Sequence, residues 1–274
     1  MKYEKIQGLQ SPKFRRVTGV KKRTFATMVE IITASDAKRL KGIGRPSKLS
    51  REDQLLMTLE YLREYRTYYH IGIDYGISES NAFRIIRRIE DALVTSRRFA
   101  LPKRQEGMDN PSITKETIDC TESPIERPPK KQRRYYSGKK KRHTIKTQLV
   151  IDTDSKKILS AITDVGRIHD FRMYKESRVL VKPTTELLGD TGYQGIQKLH
   201  GNSVIPYKKK RGAVLSRNDK RFNHKLSSRR IEVEHVIGWI KRFRIIADRY
   251  RNRRKRFGLR FKLIAGIYNY ELQD

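Results

Sequence analysis

Lysine and arginine outnumber aspartate and glutamate by 63 to 30, a formal net charge of +33 on 274 residues, and any compact form of the chain must overcome that self-repulsion. A polyanion in the working environment removes the repulsion. Nucleic acid is the polyanion that best rewards many Lys and Arg contacts, because each neutralised phosphate releases counterions. An anionic membrane would attract the same charge. However, no apolar run approaches the roughly 20 residues that cross a bilayer, and the N-terminus has no signal-peptide core. The single cysteine, Cys120, excludes an internal disulfide, and no His or Cys cluster near it suggests a zinc site. A cytosolic, nucleic-acid-associated protein is expected. Apolar residues make up 36% of the chain and fall in periodic segments, so a folded chain is expected rather than a disordered one.

Residues 1–27 are basic and aperiodic. An amphipathic stretch from Met28 towards Leu40 follows, and the apolar positions of residues 25–40 make it a candidate dimerisation helix. Gly42, Gly44 and Pro46 mark residues 41–47 as a linker. Beyond it Ser50 can cap a helix with Glu52 and Asp53 in its first turn and a stripe of Leu55, Leu56, Leu59 and Leu62. A second short helix is predicted over 67–75, stopped by Gly76, and a third from Ser78 to about Leu93. Three such helices with a glycine before the last describe a helix-turn-helix. Ala82, Ile85, Ile86 and Ile89 face inward in the third helix, leaving Ser80, Asn81, Arg84, Arg87 and Arg88 for base edges and phosphates in a major groove. The same residues also suit an ordinary solvated basic face. Arg45, beside two glycines and a proline, suits a minor-groove arm.

Residues 96–111 read as an exposed connector, after which the period changes from 3.6 to 2. Strands are predicted over 117–121, 144–151, 157–163 and 185–188, with helices over 170–181 and about 228–246. Strands interleaved with helices indicate a mixed α/β domain. Residues 127–146 carry ten Lys or Arg and no acid, including the run Lys139, Lys140, Lys141 and Arg142 beside a turn at Tyr136-Ser137-Gly138.

Acids are scarce in this half, so their placement is informative. Asp119 lies in an apolar strand between Ile118 and Cys120, where a carboxylate is costly to bury unless paired or metal-bound. Asp152 and Asp154 are also strand-end aspartates that periodicity does not exclude. Asp190 sits in a turn between Gly189 and Gly192 that lets backbone approach a ligand. On a helix, Arg230, Glu234 and Lys241 share an arc of roughly 60°, apart from the core stripe Val233, Val236, Ile240 and Phe243, whereas Glu232 points roughly 160° away from Glu234. A salt-bridged helix surface offers the same pattern. Two aspartates and a glutamate, if they converge, are what metal-assisted phosphoryl transfer requires.

The segments Asp119-Cys120-Thr121-Glu122-Ser123-Pro124, Tyr136-Ser137-Gly138-Lys139-Lys140-Lys141, His169-Asp170, Gly189-Asp190-Thr191-Gly192-Tyr193-Gln194-Gly195 and Arg230-x3-Glu234-x6-Lys241 together resemble bacterial insertion-sequence transposases of the DDE type, in the group allied to Harbinger elements. The resemblance spans roughly residues 45–270. The tyrosine that often precedes the Arg-Glu-Lys signature is replaced here by Ser227. The resemblance implies a ribonuclease H-like catalytic domain, a mixed sheet with flanking helices, preceded by an all-α helix-turn-helix domain. It implies Asp119, Asp190 and Glu234 as catalytic and metal-binding residues, with two Mg²⁺ ions for which Mn²⁺ can substitute. Arg230 and Lys241 would hold DNA phosphates, and His169 and Asp170 would support the site. The implied partners are double-stranded DNA, both transposon terminal inverted repeats and target, and a second copy of the chain, in the bacterial cytoplasm on the nucleoid.

The expected organisation is a basic arm with a possible dimerisation helix over 1–44, a helix-turn-helix domain over 45–97, a linker over 98–112 and the catalytic domain over 113–274. Two rivals fit the charge: a non-catalytic, transposase-derived DNA-binding regulator and a basic RNA-binding protein. Neither has a use for three converging acids, and all three are present.

Overall fold

The computed structural model describes residues 2–40, 47–103, 110–209 and 212–272, so Arg45 and most of the 41–47 linker lie outside the described residues. The chain divides into two compact units: Met1–Ala100 with Ile240–Asp248 and Asn252–Asp274, and Leu101–Trp239 with Arg249–Arg251.

The first unit is helical: α1 (Ser11–Thr18), α2 (Lys22–Leu40), α3 (Arg51–Glu64), α4 (Tyr68–Tyr75) and α5 (Glu79–Thr95). The caps fall where side-chain chemistry places them. Ser50, Thr67 and Ser78 each accept a hydrogen bond from the backbone N–H three residues on, and Gly76 closes α4 at φ 65°. Leu55, Leu56, Leu59, Leu62, Ala82, Ile86 and Ile89 are all buried, as the apolar stripes require. The helix-turn-helix over α3 to α5 is therefore built as its sequence directs. Upstream, Pro12 in the first turn and Gly19 as a left-handed C-cap delimit α1, in a segment whose apolar periodicity is too weak to announce a helix. The apolar residues of α2 are used within the unit itself: Phe25, Met28 and Ile32 are buried, with Phe25 stacked on Tyr3 and edge-on to Phe14.

The unit is closed by residues from far along the chain. These are the later helices α9 (Arg244–Ala247) and α10 (Phe257–Leu272), numbered in chain order. Arg260 of α10 is sealed, its Nε donating to Glu90 of α5 at 2.7 Å, and its guanidinium lies over the Tyr61 ring. Glu271 accepts from the Lys21 N–H, Thr24 Oγ1 and Arg15. Gly266 allows α10 to approach α5's exit, since a Cβ there would sit 1.8 Å from the Phe99 carbonyl oxygen. Thus α10, grouped by sequence with the catalytic domain, packs with the N-terminal helices. A run dominated by Phe, Leu, Ile and Tyr does not itself reveal which core it joins.

The second unit is built on a mixed sheet: β1 (Lys115–Pro124), β2 (Tyr136–Ser137), β3 (Arg142–Asp152), β4 (Ile158–Val165), β5 (Glu186–Leu188) and β6 (Ser203–Val204). β3 pairs antiparallel with β1, with β4 and, at its start, with β2, while β5 and β6 join parallel on the far side of β1. An antiparallel meander continued by parallel strands is the ribonuclease H-like sheet that the sequence motifs implied. Among the described residues this unit has three α-helices: α6 (Gln132–Tyr135), α7 (Asp170–Ser177) and the long α8 (Arg217–Ile240). On one face of β1, Ile118 joins Val150, Tyr174, Leu187, Tyr193 and Ile196 in an apolar cluster. α7 stops at Ser177, short of the predicted 181, where Arg178 turns left-handed at φ 51°. α8 begins earlier than predicted: Ser216 Oγ accepts from the Asp219 N–H while Asp219 accepts from the Ser216 N–H, a capping box upstream of the apolar stripe.

Burial has a cost on β1. Glu116 is 3% exposed, and burial together with Asp152 across the strand pushes its carboxyl up to about 7. A raised folded-state value means stability that is complete below the unfolded value near 4.5 and lost as pH rises through 7. Glu116→Gln is expected to raise stability at pH 8 by up to about 3 kcal/mol and to leave it nearly unchanged at pH 4.5. Thermal melts of both proteins at the two pH values test this. An equal shift at both would reject Glu116 as the titrating group.

Candidate active site

The register of the parallel pair brings the aspartates together. Thr117 of β1 lies beside Leu188, the last residue of β5, and Asp119 and Asp190 each follow two residues on. The two are close enough for the Asp190 charge to act on the Asp119 carboxyl. β5 ends at Leu188, and the edge of β1 beyond it is left to the turn holding Asp190. This is the crevice past the carboxyl end of a strand, where α/β sheets place their ligands.

The Asp190 turn is held at both ends. Its Oδ1 accepts the Gly192 N–H at 2.8 Å, and Tyr193 plunges into the core, where its hydroxyl meets Cys120 Sγ at 3.2 Å. Gly192 is needed for space: a Cβ would come within 2.5 Å of Asp170 Oδ2 and 2.9 Å of Asp190 Oδ1. Asp170 thus reaches the same spot from the first turn of α7. It is held by Lys146 of β3, whose Nζ donates to Asp170 Oδ1 at 2.7 Å and to the Ile168 carbonyl at 2.6 Å. His169 is the exposed N-cap of that helix.

Electrostatics single out Asp119. Burial pushes its carboxyl up to about 6; Arg230 and the Cys120 N–H pull it down, and Asp190 and Asp170 push it further up. Arg230 Nη2 lies 3.8 Å from Asp119 Oδ1, and the Arg230 Nε is buried with no acceptor among the described residues. A carboxyl whose proton affinity is raised by burial and by neighbouring acids, beside a guanidinium Nε lacking an acceptor among the described residues, fits the hard-oxygen donor set that a divalent cation would take, with an anion alongside. Asp152 and Asp154 lie at the β3–β4 turn, at the end of a strand that β1 separates from β5. Asp152 accepts from the Asp154 N–H and from Ser155 Oγ, closing the β3–β4 turn.

Glu234 is exposed on α8, one turn beyond Arg230 on the same face. Among the described residues no group of three or more His, Cys, Asp or Glu side chains is close enough to share a metal. Glu232 points elsewhere, to Lys156 at 2.9 Å. The neighbouring Arg229 pairs with Glu186. Lys241 falls just after α8, among the residues of the first unit. Lys139, Lys140, Lys141 and Arg142 are exposed at the β2–β3 turn, where Lys141 adopts φ 52°.

Of the recognition-helix residues, Ser80, Asn81, Arg84 and Arg87 are exposed on α5. Arg88 is turned inward, its guanidinium bonded to Asp36 of α2 and Gln54 of α3. That pairing ties α5 to its supporting helices, and only Asp36, far away in sequence, would have signalled it.

A family model described as DDE superfamily endonuclease matches residues 118–269, and one described as helix-turn-helix of DDE superfamily endonuclease matches residues 47–99. The chain is 49% identical over 273 residues, 99% of each protein, to a probable transposase for insertion sequence element IS702 from Microchaete diplosiphon. It is 26% identical over 234 residues, 84% of each, to a protein of Streptomyces albus G that carries the corresponding designation for insertion sequence element IS112. Among the described residues no helix is long and apolar enough to cross a membrane. With a ribonuclease H-like sheet, an aspartate in the turn after β5 and a capped helix-turn-helix, the chain belongs to the DDE superfamily of endonucleases and is a transposase of its insertion-sequence branch.

Proposed function

We propose that this transposase cuts at the terminal inverted repeats of an insertion sequence and joins the freed ends to target DNA, with Asp119, Asp190 and Glu234 holding two Mg²⁺ ions. The observation that supports the reading is that Asp119 and Asp190 each follow two residues after the Thr117–Leu188 pair that ends the β1–β5 ladder, with the Asp190 charge acting on the Asp119 carboxyl. Bound there, divalent cations supply Lewis acidity that activates the attacking oxygen and stabilises the leaving one. Mn²⁺ fits the same hard-oxygen donors. Glu234 is the third acid by its position one turn past Arg230.

The chain's own residues then do the following. Arg230, with its buried Nε, takes a phosphate oxygen beside Asp119. Lys146 holds Asp170 in place, and Asp170 with Gly192 fixes the Asp190 turn, with His169 opening that helix. Water attacks a phosphodiester at the transposon end, breaking the bond to the 3′ oxygen. The freed 3′-hydroxyl then attacks a target phosphodiester, and the target strand's own 3′ oxygen leaves. Ser80, Asn81, Arg84 and Arg87 read end sequence, with Arg88 holding α5 for them. Lys139, Lys140, Lys141, Arg142 and Lys241 contact backbone. Two ends are paired by at least a dimer, on nucleoid DNA.

The test is incubation of the purified protein with labelled end oligonucleotides in Mg²⁺, in Mn²⁺ and in chelator. Nicking at the end with either ion and none in chelator is expected. Specific end binding without nicking in either ion would reject the enzyme in favour of the DNA-binding regulator.

A further inference from the structure

The first unit contains a second strongly charged feature, away from the recognition helix. A concavity of about 790 Å³ lies where the α1–α2 turn meets α3 and residue 242, and seven of its ten lining residues are cationic and none acidic. Gly19 makes this close approach possible. It turns left-handed at φ 84°, and a Cβ there would come within 3.1 Å of Phe243 and 3.3 Å of Arg63.

Some lining cations are held by acids or carbonyls. Arg15 and Lys21 are pinned by Glu271, Lys22 Nζ donates to the Gln7 carbonyl, and Arg63 donates to the Arg16 carbonyl. Others are free to serve: the Arg16 and Arg242 guanidiniums are exposed, and no ion pair or hydrogen bond engages either among the described residues. Assembling so many like charges around one hollow destabilises the folded unit, and a multivalent anion reverses that cost.

We propose that this hollow is a sequence-independent site for the phosphodiester backbone of duplex DNA, with Arg16 and Arg242 as its principal ligands. A small free anion is disfavoured, because exposed, mobile guanidiniums around an open hollow lack the buried, converging donors that hold one ion. They suit a polymer that trades counterions along its length. Arg63 belongs to α3, which packs against α5, so the site lengthens the footprint set by α5. It also gives the basic N-terminal segment a task other than dimerisation. The proposal rests on the DNA-binding reading of this chain.

The test uses the full chain, a labelled 30-base-pair duplex of random sequence and a salt titration. Arg16→Gln/Arg242→Gln is expected to weaken binding roughly 10-fold or more near physiological salt and to reduce the slope of log K against log salt by about 2. Arg16→Lys/Arg242→Lys is expected to restore most of the slope. Melting temperature should stay within about 2 °C, since neither side chain supports the fold. If wild-type protein binds the duplex and the Gln variant matches its affinity and slope, the pocket proposal fails alone. If wild-type protein does not bind duplex at all, the DNA-binding reading fails and takes the pocket with it. Calorimetry with inorganic phosphate is the last arm: phosphate binding that the Gln variant loses, with an unchanged DNA slope, would make the hollow a small-anion site and overturn the proposal.

Discussion

Asp119→Asn is expected to lower end cleavage by about 10³-fold or more, roughly 4 kcal/mol of barrier, while end binding stays within about twofold. The substitution is nearly isosteric, so β1 keeps its packing. What it removes is the negative charge that a divalent cation would need, at the position where burial already resists ionisation. Because burial, the largest influence on that carboxyl, opposes its charge, the amide is expected to leave the melting temperature unchanged or raise it. Loss of cleavage in a protein that melts no earlier separates a chemical role from a structural one. Parallel loss of binding and of the folded state would show that Asp119 holds the sheet together instead. Glu234→Gln is the natural companion, because its exposed side chain carries no packing that the change disturbs.

Arg260→Ala is expected to cost about 3–5 kcal/mol of stability in the first unit. Glu90 is 0% exposed and Arg260 1%, so truncating the arginine leaves a sealed carboxylate with Arg256 as its remaining partner, bonded at 2.7 Å. It also removes the cation from the Tyr61 ring. The double variant Glu90→Leu/Arg260→Leu should recover much of the loss, since the buried charges vanish together. Denaturant unfolding of the three proteins measures this. Additive losses in the double variant would mean that the pair matters for its volume and not for its charge.

How far the sequence carries the structure depends on the range over which each signal acts. The helix-turn-helix was legible because its caps are local: Ser50, Thr67, Ser78 and Gly76 bond to neighbours within four residues. The Asp190 turn was legible for the same reason, through Gly192 and Tyr193. α1 and the start of α8 were missed although local signals existed, Pro12 with Gly19 and Ser216 with Asp219, because both segments lack an apolar stripe. Long-range facts were not legible. Nothing near Asp119 distinguishes it from Asp152 and Asp154; the distinction comes from which strand lies beside it and from the turn that uses Asp152. Arg88 is drawn inward by Asp36, and α10 by Glu90, through charge pairs whose members are far apart in the chain.

The way the first unit is stitched together also fixes an order of events during synthesis. Its helices come from both sides of the second unit, and residues 257–272 supply Arg260 and Glu271, which close it. While the ribosome is still making the second unit, the helix-turn-helix has its caps but lacks Arg260, the sealed partner of Glu90. A nascent or truncated polypeptide ending before Phe257 therefore carries an unfinished helix-turn-helix unit, completed only after the second unit has been made.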